Sequence, residues 1–298
     1  MAEPEPWTVL RLLQWTKDYL RQHGSETPQL DAEVLLAEAR KCDRISLYTA
    51  YNEVADDTLR DTFRELVKRR AAGTPVAYLV GHREFYSLPF RVTPDVLIPR
   101  PETELLVVTL LDYAKSMPHT SPLQVADIGT GSGIVAVCAA KHLSDAAVTA
   151  VDISPAALDV ARNNAEALQV AEKITFVESD LFSAVPPGEQ FHFIVSNPPY
   201  IGRDELDSLP RDVRDYEPHT ALIAGDSPMA VINRLVPQAA QRLVPGGWLM
   251  IEIGPRIAQD VEALLTSHGA FTDVKILKDL ARLPRVAVAR AQHHSPEN

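Results

Sequence analysis

Cysteine is nearly missing from this 298-residue chain: Cys42 and Cys138 are the only two, and neither stands in a C-x-x-C pair. A disulfide framework and a cysteine-rich zinc site are thereby excluded, and both thiols are expected to be buried. The nine histidines are scattered with no H-E-x-x-H spacing, so a metal centre would have to gather ligands from distant positions, and none is expected. No segment approaches the long apolar run that a bilayer span needs. Residues 1–10 hold Glu3, Glu5 and two prolines and lack the basic start and apolar stretch of a secretory signal. A soluble cytoplasmic protein without membrane association is the expectation. Positive charge is also in deficit, 29 Lys plus Arg against 40 Asp plus Glu for a net charge of −11, which argues against broad capture of nucleic acid. The run Lys68-Arg69-Arg70 reads as a solvated last helical turn, where cations suit the helix dipole. Internal repeats and low-complexity segments are lacking too.

What is present is ordinary globular material, 46% hydrophobic and 23% charged, in a length that suits one large and one small domain. Val9, Leu12, Leu13, Thr16, Tyr19 and Leu20 recur at helical spacing until Gly24. A second helix is predicted with Thr27 as its cap and Pro28 at its first position, carrying Leu30, Val34, Leu35 and Ala39. A third carries Leu59, Phe63, Leu66 and Val67 and ends before Gly73. Residues 1–74 are therefore read as a small helical bundle with no catalytic constellation of its own. Short β-rich pieces follow at 77–80, 84–86 and 90–92, a hairpin linker within 75–100. From 101 to 290 strands and helices alternate: strands at 125–128, 148–152, 174–178, 191–196 and 248–253 and two near Val274 and Val286, with helices between most of them. That pattern predicts an α/β unit with a mostly parallel sheet covered on both faces. Residues 291–298 read as a polar tail.

The strand at 125–128 runs into Gly129-Thr130-Gly131-Ser132-Gly133 and then an apolar helix. A glycine turn between strand and helix lets a ligand approach the backbone, and the helix start offers N–H donors. Ile134 stands where a dinucleotide fingerprint would have its last glycine. Asp127 adds a carboxylate suited to a cationic amino group. Asp152 ends the next strand, at about the ~20-residue distance from the glycines at which an acid meets ribose hydroxyls. Either feature alone has a structural reading, a turn or a helix cap; in order on a βαβ pattern they point to a nucleoside-type ligand.

Asn197-Pro198-Pro199-Tyr200 follows the apolar strand 191–195, and chance would supply it in only about one chain per thousand of this length. A rigid turn with a packed tyrosine is the structural alternative, but the motif falls at the carboxyl end of a strand, where open α/β sheets bind ligands. An amide or exocyclic amino nitrogen is a poor nucleophile because its lone pair is delocalised. The Asn197 side-chain oxygen and the Pro198 carbonyl can each accept a hydrogen from such an NH₂ group and aim the lone pair. Pro199 stiffens the turn, and Tyr200 offers a flat surface to a planar group.

Together with residues 97–104 (Leu-Ile-Pro-Arg-Pro-Glu-Thr-Glu), 127–133, Asp152-Ile153-Ser154, 197–201 and Arg214-Asp215-Tyr216-Glu217-Pro218, these motifs resemble the PrmC (HemK) family of release factor glutamine methyltransferases. The resemblance runs through nearly the whole chain. It implies a class I S-adenosylmethionine-dependent methyltransferase fold, Rossmann-like with a seven-stranded sheet; the N-terminal helices, which hold no catalytic residues, are then expected to serve substrate recognition, because a tripeptide offers too little surface for tight binding. It also implies S-adenosylmethionine as methyl donor and the glutamine of the Gly-Gly-Gln tripeptide of class I release factors as acceptor. On the matching positions, Gly129, Thr130, Gly131, Ser132, Gly133, Asp152, Leu181 and Asn197 would hold the donor. Asn197, Pro198, Pro199 and Tyr200 would hold the glutamine, with Asn197, Pro198 and Tyr200 catalytic. Asp180-Leu181 matches the adenine-side segment, with leucine where some members carry an aromatic residue. The segment 224–229 (Ala-Gly-Asp-Ser-Pro-Met) departs from a glycine-rich stretch of the family and is read as structural. Release factors are thus the expected partner of a monomeric enzyme. The alternatives are a ribosomal-protein glutamine methyltransferase, more distantly a DNA adenine methyltransferase, to which the same tetrapeptide is suited, and a non-catalytic donor-binding scaffold.

Overall fold

The computed structural model describes residues 5–118 and 122–292; apart from its first two residues, the expected polar tail lies outside them. Contacts divide the chain into two units, Met1–His82 with Pro210–Tyr216, and Arg83–Leu209 with Glu217–Asn298.

The first unit is helical. In α1 (Val9–Gln22) the Thr8 hydroxyl accepts the Arg11 N–H as cap, and Val9, Leu12, Leu13 and Leu20 are buried. They pack with Leu35 and Leu36 of α2 (Pro28–Arg40), Leu47 of α3 (Arg44–Thr49), and Phe63 and Val67 of α4 (Asp57–Ala71) in one apolar cluster. Residues 77–80, expected as strand, belong instead to α5 (Val76–Val80), closed by Gly81 at φ 79°. The valine- and tyrosine-rich run suits a strand, but Val76, Leu79 and Val80 lie against the helical core, and burial overrides propensity. Thr27 stands before Pro28 as expected, yet it makes no cap: its hydroxyl donates to Asp31 Oδ1 at 2.9 Å. Nor is the basic run wholly solvated, because Arg70 donates through Nε to the buried Asp31 at 2.7 Å. Ser25 Oγ is a further donor to Asp31, at 2.8 Å. Of the two cysteines, Cys138 is buried and Cys42 only partly so.

A hairpin, β1 (His82–Phe85) and β2 (Leu88–Arg91), carries all but its first residue in the second unit and turns through Tyr86 and Ser87 at φ 50° and 58°. Phe85 and Phe90 are buried in the α/β core, and Asn164 grips β2 by accepting the Arg91 N–H and donating to the Arg91 carbonyl. Then come α6 (Glu104–Ser116), β3 (Leu123–Ile128), α7 (Ile134–His142), β4 (Ala146–Asp152), α8 (Pro155–Ala167), β5 (Ile174–Glu178) and β6 (Phe191–Ser196). A two-residue β7 (Ile201–Gly202), α9 (Arg211–Tyr216) of the first unit, α10 (His219–Leu222) and β8 (Ile223–Gly225) follow. The chain ends on α11 (Ala230–Arg242), β9 (Leu243–Glu252), α12 (Ala258–Ser267), β10 (Phe271–Lys278) and β11 (Pro284–Ala291).

Seven strands form one sheet in the order β10-β11-β9-β6-β3-β4-β5, parallel except for β11, which runs antiparallel to both β9 and β10. Strand residues alternate between two apolar cores. Val125, Val148, Phe193 and Met250 face the side of α6 and α7; Ala126, Val151, Ile194 and Leu249 face the side of α11 and α12. Because both faces are covered, the central strands β3 and β6 are nearly continuous buried runs, whereas the edge strand β10 carries exposed Thr272, Asp273 and Lys275. Strand β9 begins five residues earlier than the expected 248, since Leu243 already pairs with Phe191 ahead of an irregularity in register. No helix of the described residues is long and apolar enough to cross a membrane.

Candidate active site

Sheet order reverses at β3: β4 and β5 step away on one side, β6 and β9 on the other. A doubly wound sheet opens at that point, beyond the carboxyl ends of its strands. There lies a cavity of about 330 Å³, walled by the loops after β3, β4, β5 and β6, by residues between 95 and 103, and by Thr220, Ala221, Ile223, Val231 and Arg234.

The loop after β3 has the conformation that demands glycine. Gly129, Gly131 and Gly133 sit at φ 75°, 55° and 81°, and Gly129 and Thr130 donate their N–H groups to the Val151 carbonyl at 2.8 and 2.9 Å. A β-carbon on Gly129 or Gly131 would meet nothing within 4 Å, so the loop leaves open space for a ligand there. A β-carbon on Gly133 would lie 3.0 Å from that of Ala161, so this glycine also lets α7 approach α8. Asp127 is buried on the cavity wall, and its Oδ2 takes the Thr130 hydroxyl at 2.7 Å and the Ala136 N–H at 3.0 Å. Burial pushes its carboxyl up to about 6 against these hydrogen bonds. Asp152 is set by the Gly131 N–H on Oδ2 and the Ser154 N–H on Oδ1, at 2.8 and 2.9 Å, and burial raises it too. Each of its oxygens keeps acceptor capacity toward the cavity.

Past β5, Leu181 lines the cavity at φ 51°, a left-handed conformation uncommon for leucine. Its neighbour Asp180 pairs with Arg234 at 2.5 Å. Past β6, the Ser196 hydroxyl donates to the Ile128 carbonyl at 2.7 Å, which fixes the end of β6 against β3. Asn197, Pro198 and Pro199 follow on the cavity wall, and Asn197 Nδ2 donates to Thr103 Oγ1 at 3.3 Å. Tyr200 is not part of that wall: its ring lies against Gly254, and burial pushes its phenol up to about 12.

The structure thus brings Gly129, Thr130, Gly131, Ser132, Asp152, Leu181, Asn197, Pro198 and Pro199 to one cavity, whereas Gly133 and Tyr200 are not among the residues that line it. It adds residues that local patterns did not assign. Ile98 N–H and Arg100 both reach the buried carboxylate of Glu217, at 3.1 and 2.5 Å, which pins the 97–104 segment beside the cavity. Thr103 and Glu252 are buried behind Asn197. An acid closing an otherwise apolar strand was the available signal for Glu252; Thr103 lies within the 97–104 motif, but no role at the site attaches to it there.

A seven-stranded sheet in this order, parallel except for β11, with a glycine loop after its first strand and an Asn-Pro-Pro-Tyr turn at its fourth defines a class I methyltransferase. Residues 11–81 match the family described as PrmC N-terminal domain, and residues 103–208 match the methyltransferase small domain. The release factor glutamine methyltransferase of Rhodopirellula baltica is 49% identical over 282 residues, 94% of this chain and 95% of that protein. That of Koribacter versatilis is 44% identical over 275 residues, 91% and 94% of the two chains. Among solved structures, the catalytic domain of hMettl16 shares the fold at a TM-score of 0.54 and 18% identity, covering 77% of this chain and 82% of that one. The chain belongs to the release factor glutamine methyltransferase family.

Proposed function

We propose that this chain methylates the side-chain amide nitrogen of the glutamine in the Gly-Gly-Gln tripeptide of class I release factors, using S-adenosylmethionine. The observation that carries the reading is that Asn197, Pro198 and Pro199 share one cavity with the glycine loop and Asp152. A donor site and an amide-binding turn therefore face the same space. When bound, S-adenosylmethionine supplies an electrophilic methyl carbon. Gly129, Thr130, Gly131, Ser132 and Gly133 let it approach the backbone, Asp152 accepts from its ribose hydroxyls, and Leu181 gives an apolar surface beside Asp180 on the adenine side.

Asn197 Oδ1 and the Pro198 carbonyl accept the two hydrogens of the acceptor amide, which holds the nitrogen with its lone pair toward the methyl carbon. Orientation of this kind is worth up to ~7–11 kcal/mol of a barrier. No base is needed beforehand, because the proton leaves once the nitrogen has become positive. Tyr200, held against Gly254, backs the planar amide. On this reading the enzyme works in the cytoplasm as a monomer without stable nucleic-acid binding. The helical unit, which exposes Trp15, Ile45 and Tyr48, adds contacts to the release factor that a tripeptide is too small to give.

The test is to incubate the protein with methyl-labelled donor and either an intact release factor or its Gly-Gly-Ala variant, and to locate the label by mass spectrometry. Label on the glutamine of the first and none on the second is expected. Equal labelling of both, or label only on a ribosomal protein or DNA offered in parallel, would overturn the assignment.

A further inference from the structure

An asparagine amide that must accept from a substrate NH₂ group has a difficulty: turned by half a revolution, it would present its own NH₂ instead. Something has to set its orientation. Asn197 Nδ2 donates to Thr103 Oγ1 at 3.3 Å, and the Thr103 side chain lies beside the Glu252 carboxyl, whose charged form its hydroxyl favours. Both of these residues are 1% exposed. A hydroxyl has one proton. Given to an ionised carboxylate, that proton leaves only lone pairs toward Asn197, which can then present nothing but its N–H. Oδ1 is left for the acceptor.

We infer that Thr103 and Glu252 are positioning residues that fix the Asn197 amide with its oxygen toward the acceptor nitrogen, an inference that rests on the role of Asn197 given above. A second observation separates this pair from ordinary packing. Glu252 Oε2 is buried without a hydrogen-bond partner among the described residues, whereas buried carboxylates are usually satisfied. The carboxyl group faces Thr103, Glu102 and Arg100 from the segment before α6, Arg285 from β11, and the Tyr200 phenol beyond β6. Arg285 is itself engaged by Asp279 at 2.9 Å and lies 3.9 Å from Glu102, so it does not neutralise Glu252 alone.

Ionisation of Glu252 then decides the relay. As a neutral acid it can donate to Thr103, whose hydroxyl proton becomes free to turn toward Asn197 Oδ1. The amide is then held with its NH₂ toward the acceptor NH₂, donor against donor. Burial pushes this carboxyl up to about 7, with Glu102 adding to the rise and Thr103, Arg285 and Arg100 opposing it. The ionised form is the competent one, so kcat rises as pH climbs through neutrality.

The experiment measures kcat against pH, and donor Kd by calorimetry, for wild type, T103V, T103S, E252Q and N197A. Expected is a wild-type kcat that climbs through neutral pH. T103V should lose about tenfold or more in kcat at unchanged donor Kd, and T103S should regain most of it. E252Q, whose amide cannot titrate but can still accept from Thr103, should lose the pH limb while keeping part of the rate. Wild-type kcat in T103V, or a limb that survives in E252Q, overturns the relay. T103S guards against misfolding of T103V: a loss in T103S as deep as in T103V also overturns it. If N197A turns over normally, the fault lies instead with the role of Asn197, a different and recognisable result.

Discussion

Two buried carboxylates, one in each unit, are treated in opposite ways. Asp31 of the helical unit collects Ser25 Oγ, Thr27 Oγ1 and Arg70 Nε, three donors between 2.7 and 2.9 Å. Glu252 of the α/β unit is just as inaccessible, yet Oε2 has no hydrogen-bond partner among the described residues and the group is raised to about 7 by burial. A carboxylate that only has to hold helices together is saturated with donors, because each missing one costs stability. One that must act on a neighbour through a single hydroxyl is left undersupplied, and the surrounding fold carries the cost.

The sharpest test of that contrast lies at the end of the relay. Asn197→Ala should lower kcat by about 10²–10³, the usual loss of one preorganised hydrogen-bonding group, with donor Kd within a few-fold by calorimetry; a parallel fall in donor binding would reassign the residue. Next in size is Asp31→Ala, which leaves Arg70 with the Thr74 carbonyl at 3.4 Å and Asp212 at 3.8 Å. It should cost the helical unit about 3 kcal/mol, read as faster hydrogen exchange in α2 and α4, while turnover on a Gly-Gly-Gln peptide stays at the wild-type rate. A catalytic loss at unchanged exchange would break the comparison.

Glu252→Gln should move stability the other way. The folded-state carboxyl titrates near 7, above its ordinary 4.5, so the folded chain holds the extra proton and wild-type stability falls as pH rises between those values. The variant escapes that loss. Its melting temperature should exceed wild type at pH 8 by a few degrees, for about 1 kcal/mol, with the gain vanishing toward pH 4.5. A larger gain at low pH would contradict the sign. The smallest effect is expected for Trp15→Ala and Ile45→Ala, each weakening kcat/KM for an intact release factor by about three- to tenfold and leaving the peptide substrate unaffected. Equal effects on both substrates would remove the helical unit from recognition.

Much of this was legible in the sequence, for a physical reason: the chemistry sits on short-range geometry. Gly129 to Gly133 and Asp152 belong to one βαβ step, and the positive φ angles of the loop are what its glycines announce. Asn197 to Tyr200 is a contiguous turn. What escaped is what sequence distance hides. Asn197 and Thr103 meet across 94 residues, and Ile98 meets Glu217 across 119; no periodicity links such positions. The misread helix α5 shows the converse, a local preference for strand outvoted by Val76, Leu79 and Val80 packing against distant partners. The contact of the Tyr200 ring with Gly254, 54 residues on, is likewise not announced by the motif.

The passage of the chain through α9 bears on how the molecule can be taken apart and how it is made. After Leu209 the chain leaves the α/β unit, contributes Pro210–Tyr216 to the helical unit, and returns at Glu217. There the Tyr216 hydroxyl donates to the Ala72 carbonyl at 3.2 Å and Asp212 lies beside Arg70. A single protease cut near residue 82 therefore cannot release the helices as a complete piece, and a gene truncated at that point would still encode a segment whose partners had been deleted. During synthesis the five N-terminal helices leave the ribosome first, but their last element is not translated until more than a hundred residues later, and with it comes Glu217, which clamps the cavity wall.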